Sequence, residues 1–85
     1  MSKAQGSLVQ VHLYAAARAA AAPVIEAEPG TIESILAQCI DQYPALSTIA
    51  PQCSFLIDGT ATIDLAENVA AGSQLDVLPR FAGGA

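Results

Sequence analysis

A single amphipathic helix with clear start and stop signals limits the folds open to this 85-residue chain. One apolar stripe recurs at helical spacing, formed by Ile32, Ile35, Leu36, Cys39 and Ile40. Thr31 is a favourable N-cap residue, and Glu33 places a carboxylate in the first turn, where the helix dipole favours it. Tyr43-Pro44 is predicted to end the helix, because a residue before proline avoids the helical conformation. The stripe needs other elements to cover it.

Those other elements are predicted to be strands. Val9, Val11 and Leu13 alternate with more polar residues, which indicates a strand over residues 8–14 with one face in the core. Further strands are predicted at residues 24–28, 54–57 and 62–65, and around Leu75 and Val77, with a turn at Asp58-Gly59. The alanine-rich residues 15–22 are predicted to be a turn or loop with some helical character, because a segment this short is not a stable helix alone. Residues 45–52 are predicted to be a connector that includes a helical turn.

The order β-β-α-β-(β)-β, without an internal repeat or a linker, is typical of an α+β fold. We expect a mixed sheet of four to five strands that a helix covers on one face. The length fits one domain with its own core. Residues 1–7 are predicted to be a disordered lead-in, residues 8–79 the domain, and residues 80–85 a flexible tail.

Composition argues against several classes of function. The formal charge is −5, and the three cations Lys3, Arg18 and Arg80 lie far apart, so binding to nucleic acid is not expected. Cys39 and Cys53 form no CxxC motif, and His12 stands alone in a predicted strand, so neither a metal site nor an independent active site is expected. No segment approaches the ~20 apolar residues of a membrane span, and the chain is interpreted as cytoplasmic.

The chain stops one residue after a pair of glycines, Gly83 and Gly84. A glycine pair makes a thin segment without side chains, which is able to enter a narrow cleft. Such a tail suits a protein whose own C-terminal carboxylate is presented to the active site of another protein. The alternative is an ordinary frayed terminus of small residues.

Four segments, in this order and with this tail, resemble the ubiquitin-like β-grasp fold and, within it, the MoaD/ThiS family of sulfur carriers. The resemblance covers roughly residues 8–84 and rests on Val9 to Arg18 (opening strand and alanine-rich turn), Gly30 to Leu36 (helix start), Ile57-Asp58-Gly59, and Gly72 to Pro79 (last strand). Two positions depart from the family. Arg80 replaces the second of two prolines, and Ala85 follows the glycine at which these carriers end.

The resemblance implies a sulfur carrier that works with other proteins. An E1-like adenylyltransferase (MoeB/ThiF-like) would use ATP to adenylate the carboxylate of Gly84, with Gly83 supplying clearance, and sulfur would then displace AMP to give a thiocarboxylate. No cofactor is expected on the chain itself. The recipient is expected to be a molybdopterin precursor on the large subunit of molybdopterin synthase (MoaE-like), which makes this chain its small subunit. Ala85 is expected to be removed first by a C-terminal protease.

A partner surface is also predicted. Tyr14, Leu78 and Phe81 are expected to form an apolar patch beside the tail, with Ala61 near its edge by resemblance. Arg80 is expected to contact a partner carboxylate or the phosphate of the adenylate. The alternatives are that Tyr14 packs under the loop around Ala61 and that Arg80 is only a solvated charge.

Other functions remain open at this point. The chain is also compatible with a ubiquitin-like modifier joined to lysines of target proteins, with a carrier in the thiamine or cysteine pathway, and with a non-covalent β-grasp interaction domain. A cysteine persulfide is a more remote alternative.

Overall fold

The computed structural model describes residues 7–80, which form two helices and seven strands. In chain order the elements are β1 (Val9–Leu13), α1 (Ala15–Ala20), β2 (Val24–Ala27), β3 (Gly30–Thr31), α2 (Ile32–Gln42), β4 (Cys53–Ile57), β5 (Thr60–Thr62), β6 (Asn68–Val69) and β7 (Gln74–Pro79). The main sheet has the order β2-β1-β7-β4-β5, and β3 pairs separately with β6. The predicted α+β class is confirmed.

The main sheet is mixed because its central strand, β7, runs in the same direction as the neighbouring strand β1. β1 pairs in parallel with β7, while β1–β2, β7–β4 and β4–β5 are antiparallel. Alternate residues of these strands are buried together with α2 in one core, formed by Val9, Val11, Leu13, Ile25, Ala27, Ile32, Ile35, Cys39, Cys53, Phe55, Leu75 and Val77 among others. Burial of this apolar area is the main stabilising contribution to the fold.

The predicted signals at both ends of α2 are confirmed. The Thr31 hydroxyl oxygen accepts a hydrogen bond from the Ser34 backbone N–H at 3.1 Å, which satisfies one free donor of the first turn. The helix ends at Gln42, directly before Tyr43 and Pro44. Its buried residues Ile32, Ile35 and Cys39 belong to the predicted stripe.

Three expectations about local structure were inaccurate. Residues 15–20 form a short helix, which is stabilised by Ala17 because this residue is fully buried in the core. The connector forms two short 3-10 helices, Pro44–Thr48 and Ala50–Gln52, rather than one turn. Gly30 and Thr31 form a two-residue strand that pairs with β6, and no strand had been predicted there.

The predicted edge strand at residues 62–65 was wrong in position. The Asp58-Gly59 turn has two residues with positive φ, 48° and 87°, and a two-residue loop of this kind places Ile57 opposite Thr60. Strand β5 therefore begins at Thr60 and ends at Thr62. Ile63 and Leu65 leave the sheet and remain exposed.

Neither helix in the described part of the chain has the length and apolar composition needed to cross a bilayer. Residues 1–6, which make up most of the predicted lead-in, and residues 81–85 of the predicted tail lie outside the described residues.

Candidate functional site

The face of the main sheet that points away from α2 is the first candidate site, and we call it the outer face. It carries the residues that alternate with the core positions, namely Gln10, His12, Ser54, Leu56, Ala61, Gln74, Asp76 and Leu78. Ala61 and Gln74 are exposed, and the other six are half-buried. Tyr14 continues this face beyond the end of β1.

Tyr14 lies in extended conformation between β1 and α1, with 39% of its surface exposed. Its backbone N–H donates to the Val77 carbonyl oxygen at 3.3 Å, which extends the parallel pairing of β1 with β7 by one residue. Its hydroxyl lies 3.4 Å from Asp76 Oδ1 as a hydrogen-bond donor. Loss of hydration, and then the negative charge and hydrogen bond of Asp76, raise the pKa of the Tyr14 phenol.

Tyr14 and Leu78 are brought together as predicted. Leu13 is paired with Val77, so the next residues on the two parallel strands, Tyr14 and Leu78, are neighbours on the outer face. Leu78 is half-buried and lies opposite Ser54 of β4, whose hydroxyl donates a long 3.5 Å hydrogen bond to the Leu78 carbonyl oxygen. Both residues face away from the helix, while Val77 and Leu75 face it. Their role in binding stays a prediction.

Ala61 lies on the same face but not next to Tyr14. It belongs to the edge strand β5, and strands β4 and β7 separate it from β1. Its neighbour across the sheet is Leu56, which is paired with Ala61 on one side and with Asp76 on the other. Leu56 was missed by the sequence analysis, although its alternation with buried Phe55 in β4 would have placed it on this face.

The structure places Arg80 apart from this patch. Its backbone N–H donates to the Gln52 carbonyl oxygen at 2.9 Å, and the residue is exposed. It lines a groove of about 520 Å³ on the helix side of the sheet, together with Cys53 and Phe55. Phe81, Gly83, Gly84 and Ala85 lie outside the described residues, so the prediction that they continue the site stays a prediction.

The two thiols are poorly suited to nucleophilic chemistry. Burial raises the pKa of the Cys39 thiol to about 11. Burial also raises the pKa of the Cys53 thiol, and the positive charge of Arg80 offsets part of that rise. Because the thiolate is the nucleophile, neither cysteine is activated at neutral pH, which argues against the persulfide alternative. Within residues 7–80, no cluster of three His, Cys, Asp or Glu side chains is arranged to hold a metal ion.

The fold is shared with several solved structures, whereas no family model and no curated protein matches the sequence. Small archaeal modifier protein 1 from Haloferax volcanii is 24% identical, with a TM-score of 0.77 over 91% of this chain and 99% of that chain. The protein of the same name from Methanosarcina acetivorans is 23% identical, with a TM-score of 0.80 over 92% and 97%. A chain from the complex of subunits 1 and 2 of molybdopterin-converting factor from Helicobacter pylori is 14% identical, with a TM-score of 0.66 over 91% and 99%.

These likenesses span almost the whole length of each compared chain. They show the ubiquitin-like β-grasp fold, which the sequence had predicted, over the full domain rather than over a fragment.

Proposed function

We propose that this β-grasp chain is a ubiquitin-like sulfur carrier of the MoaD/ThiS type, which is activated at the carboxylate of Gly84. The observation that carries the proposal is the position of β7. This strand lies at the centre of the sheet, is hydrogen-bonded on both sides, and leads within five residues from Pro79 to the glycine pair. A rigid base and a short segment that ends in small residues are what a partner enzyme needs to draw a carboxylate into a narrow site.

The chemistry follows from the electrophilic activation of a carboxylate. A carboxylate oxygen of Gly84 attacks the α-phosphorus of ATP on an E1-like enzyme, and pyrophosphate leaves. A sulfur nucleophile then attacks the acyl carbon and AMP leaves, so that sulfur remains on the acyl group as a thiocarboxylate. This chain brings the acyl group, and the partner supplies the nucleotide site and the acid–base groups.

The outer face is the surface that we assign to these partners. Tyr14, Leu78 and Leu56 present large, partly exposed side chains on one side of the sheet, and such patches mark interaction sites. The likeness to a chain of the molybdopterin-converting factor complex supports a large-subunit partner, and molybdopterin synthesis is the pathway that we propose. Removal of Ala85 by a protease is part of the same proposal.

A protein modifier is the second candidate, and one observation favours it. The two archaeal modifier proteins superpose with TM-scores of 0.77 and 0.80, against 0.66 for the molybdopterin-converting factor chain. A modifier would be adenylated in the same way, but a lysine amine of the target protein would attack the activated Gly84 carbonyl instead of sulfur.

One experiment separates the candidates. The chain ending at Gly84 is incubated with the E1-like enzyme of its own genome, Mg-ATP and a sulfide donor, and is weighed intact by mass spectrometry. A carrier gains the mass difference between sulfur and oxygen. A modifier, given a lysate of its own organism as the source of target proteins, yields branched tryptic peptides that carry Phe81-Ala82-Gly83-Gly84 on lysine. A chain ending at Gly83 is the matched control, because its carboxylate falls short of the reacting position by one residue. Formation of neither AMP nor an adenylate from the Gly84 form contradicts both candidates.

A further inference from the structure

The groove on the helix side of the sheet is a second, separate surface. One wall is the solvent side of α2, and the other comes from the 3-10 helices, β4 and the segment after β5. The apolar residues that line it include Leu36, Ile40, Phe55, Ile63 and Leu65. Its volume of about 520 Å³ lies in the range of binding pockets, and its lining is mostly apolar, as such pockets require.

The groove is lined by large side chains that the fold does not cover. Ile63 is 82% exposed and Leu65 is 43% exposed, which is unusual for side chains of this size next to each other in a small domain. They are exposed because β5 ends at Thr62, so both residues lie beyond the sheet. Exposed apolar residues that border an apolar groove indicate an interaction site.

The two charges of the groove lie at different ends. The Glu33 backbone N–H donates to the Leu65 carbonyl oxygen at 3.0 Å, so Glu33 belongs to the Leu65 end. The Arg80 backbone N–H donates to the Gln52 carbonyl oxygen, so Arg80 belongs to the opposite end, beside the 3-10 helices. Between the two ends runs the helix wall, which rises about 10 Å from Glu33 to Ile40 at 1.5 Å per residue. Within residues 7–80, no salt bridge or side-chain hydrogen bond engages either charge.

We propose that this groove binds an extended segment of a partner protein that carries two large apolar side chains at alternate positions. An acidic residue at one end of the segment meets Arg80, and a basic residue at the other end meets Glu33. An extended peptide rises about 3.3 Å per residue, and its alternate side chains point to opposite sides. Five residues therefore span the groove. The second and fourth side chains enter it, and the charged end residues lie at its rim. The proposal does not depend on the chemistry of the glycine tail.

The choice of a peptide follows from the shape and the charge pattern of the groove. The groove is partly open to solvent rather than enclosed, and it presents one charge of each sign. A simple amphiphile with one charged head would satisfy only Arg80 or only Glu33. A peptide with opposite end charges satisfies both, and repulsion disfavours peptides whose two ends carry the same charge.

Blocked pentapeptides provide the test, with the isotope-labelled full chain observed by NMR in the absence of ATP. The probes are acetylated and amidated DLALK, KLALK and DLALD. We expect saturable shifts at Leu36, Ile63 and Leu65 amides, with the mixed-charge peptide binding about two- to fivefold more tightly than either like-charged peptide, which is the effect of exposed ion pairs. Shifts confined to the outer face, or no saturation at millimolar peptide, would overturn the proposal.

Reversal of the Arg80 charge tests the contact between Arg80 and the charged end of the peptide. With Arg80→Glu the ranking should invert, so that the dibasic peptide binds more tightly than the mixed one. Arg18→Glu is the matched control, because Arg18 lies on α1 outside the groove, and it should leave the ranking unchanged. If both variants change the ranking equally, the effect is long-range electrostatics and the proposal fails.

A second pair of variants tests the apolar contacts. Leu65→Ser should weaken binding of every pentapeptide severalfold. Val24→Ser, at a site of equal exposure (42%) on β2, should have no effect. Both sites are partly exposed, so each variant should keep the dispersed amide spectrum of a folded chain. Equal effects of the two variants would contradict binding of the peptide in the groove. So would amide shifts that depend on protein concentration without peptide, or tighter binding of octanoate than of the pentapeptides.

Discussion

Asp58 links the β4–β5 hairpin to β7 through two hydrogen bonds. Its backbone N–H donates to the Gln74 carbonyl oxygen at 2.9 Å, and its carboxylate accepts from the Gln74 backbone N–H at 2.9 Å. The Gln74 hydrogen bond, and then one from the Ser73 side chain, lower the pKa of the Asp58 carboxyl, since both stabilise its charged form. One side chain therefore fixes a turn and also responds to pH.

Replacing Asp58 by Asn tests this role. The amide keeps an acceptor oxygen and tolerates the positive φ of 48°, but it cannot ionise. Because the folded pKa is below the unfolded one, the charged form stabilises the fold above the unfolded pKa of about 3.9, and this contribution is lost as pH falls through the folded pKa. Wild type should exceed Asp58→Asn in urea stability at pH 7, and the difference should disappear at low pH.

The control for that measurement is Asp41→Asn, which removes an exposed carboxylate of α2 that makes no side-chain hydrogen bond within the described residues. For Asp41→Asn, the loss of urea stability between pH 7 and low pH should be close to the loss that wild type shows. A gap between wild type and Asp58→Asn that is the same at every pH would contradict the assignment.

At the scale of single elements, α2 was predicted well because its signals are local. Its cap, its stripe and its stop lie within fourteen residues, from Thr31 to Pro44. Strand β5 was predicted at residues 62–65 because Ile63 and Leu65 alternate with polar residues as in a strand. The Asp58-Gly59 turn fixes the register with β4, so that β5 begins at Thr60 instead. The pair β3–β6 was missed, because its two-residue strands carry no local pattern and the paired residues Thr31 and Asn68 are 37 positions apart.

The N-cap of α2 is open to a direct stability measurement. Thr31→Ala removes the hydroxyl oxygen that accepts from the Ser34 N–H, and should lower the free energy of unfolding by about 1 kcal/mol. Thr31→Ser keeps the acceptor and should cost much less. Urea unfolding of the two variants beside wild type gives the answer, and equal losses would mean that the Thr31 methyl group rather than the cap is responsible.

On the outer face of the sheet, Leu78 is the residue that we expect to contact the E1-like enzyme. Leu78→Asp places a charge where we expect the centre of the contact with the E1-like enzyme, and it should weaken that binding at least tenfold in calorimetry, as removal of a buried interface residue does. The domain should stay folded, because Leu78 is only half-buried.

Gln74→Asp is the matched control for Leu78→Asp. It adds the same charge on the same strand and face, four residues away at an exposed position, and should have little effect on affinity. Similar losses in the two variants would point to overall charge repulsion and would remove Leu78 from the interface.

At the scale of the whole molecule, the predicted class and the helix-on-sheet arrangement are confirmed, while the surfaces were predicted only in part. The pairing of Tyr14 with Leu78 followed from alternation along two strands. The separation of Arg80 from them did not, because it depends on where β7 ends, at Pro79, and on the hydrogen bond from the Arg80 backbone N–H to the Gln52 carbonyl oxygen. The groove is formed by residues from α2, the 3-10 helices and the segment after β5, and no sequence pattern brings those parts together.

The consequence is a domain with two distinct surfaces on opposite sides of one sheet. The outer face lies beside β7, which leads to the glycine tail, and the groove lies on the helix side. A partner could therefore occupy the groove while another protein acts on the tail. Arg80 lies at the point where these two regions meet, so variants of Arg80 should be tested in both the pentapeptide assay and the adenylation assay.

The last prediction concerns Ala85, the residue beyond the glycine pair. One added residue moves the terminal carboxylate by up to about 3.5 Å, and a misplacement of about 1 Å can already cost roughly a hundredfold in rate. A cleft shaped for glycine also leaves little room for the Cβ of Ala85. The full chain should therefore be nearly inert in ATP–pyrophosphate exchange with the E1-like enzyme, and the chain ending at Gly84 should be active. A chain ending in Gly84-Gly, of the same length as the full chain, separates position from side-chain bulk. This chain should also be inert if the position of the carboxylate determines activity. It should be active if only the methyl group of Ala85 obstructs the cleft. Equal exchange by the full chain and the Gly84 form, with Ala85 retained by intact mass, would make Ala85 the acceptor and end the trimming hypothesis.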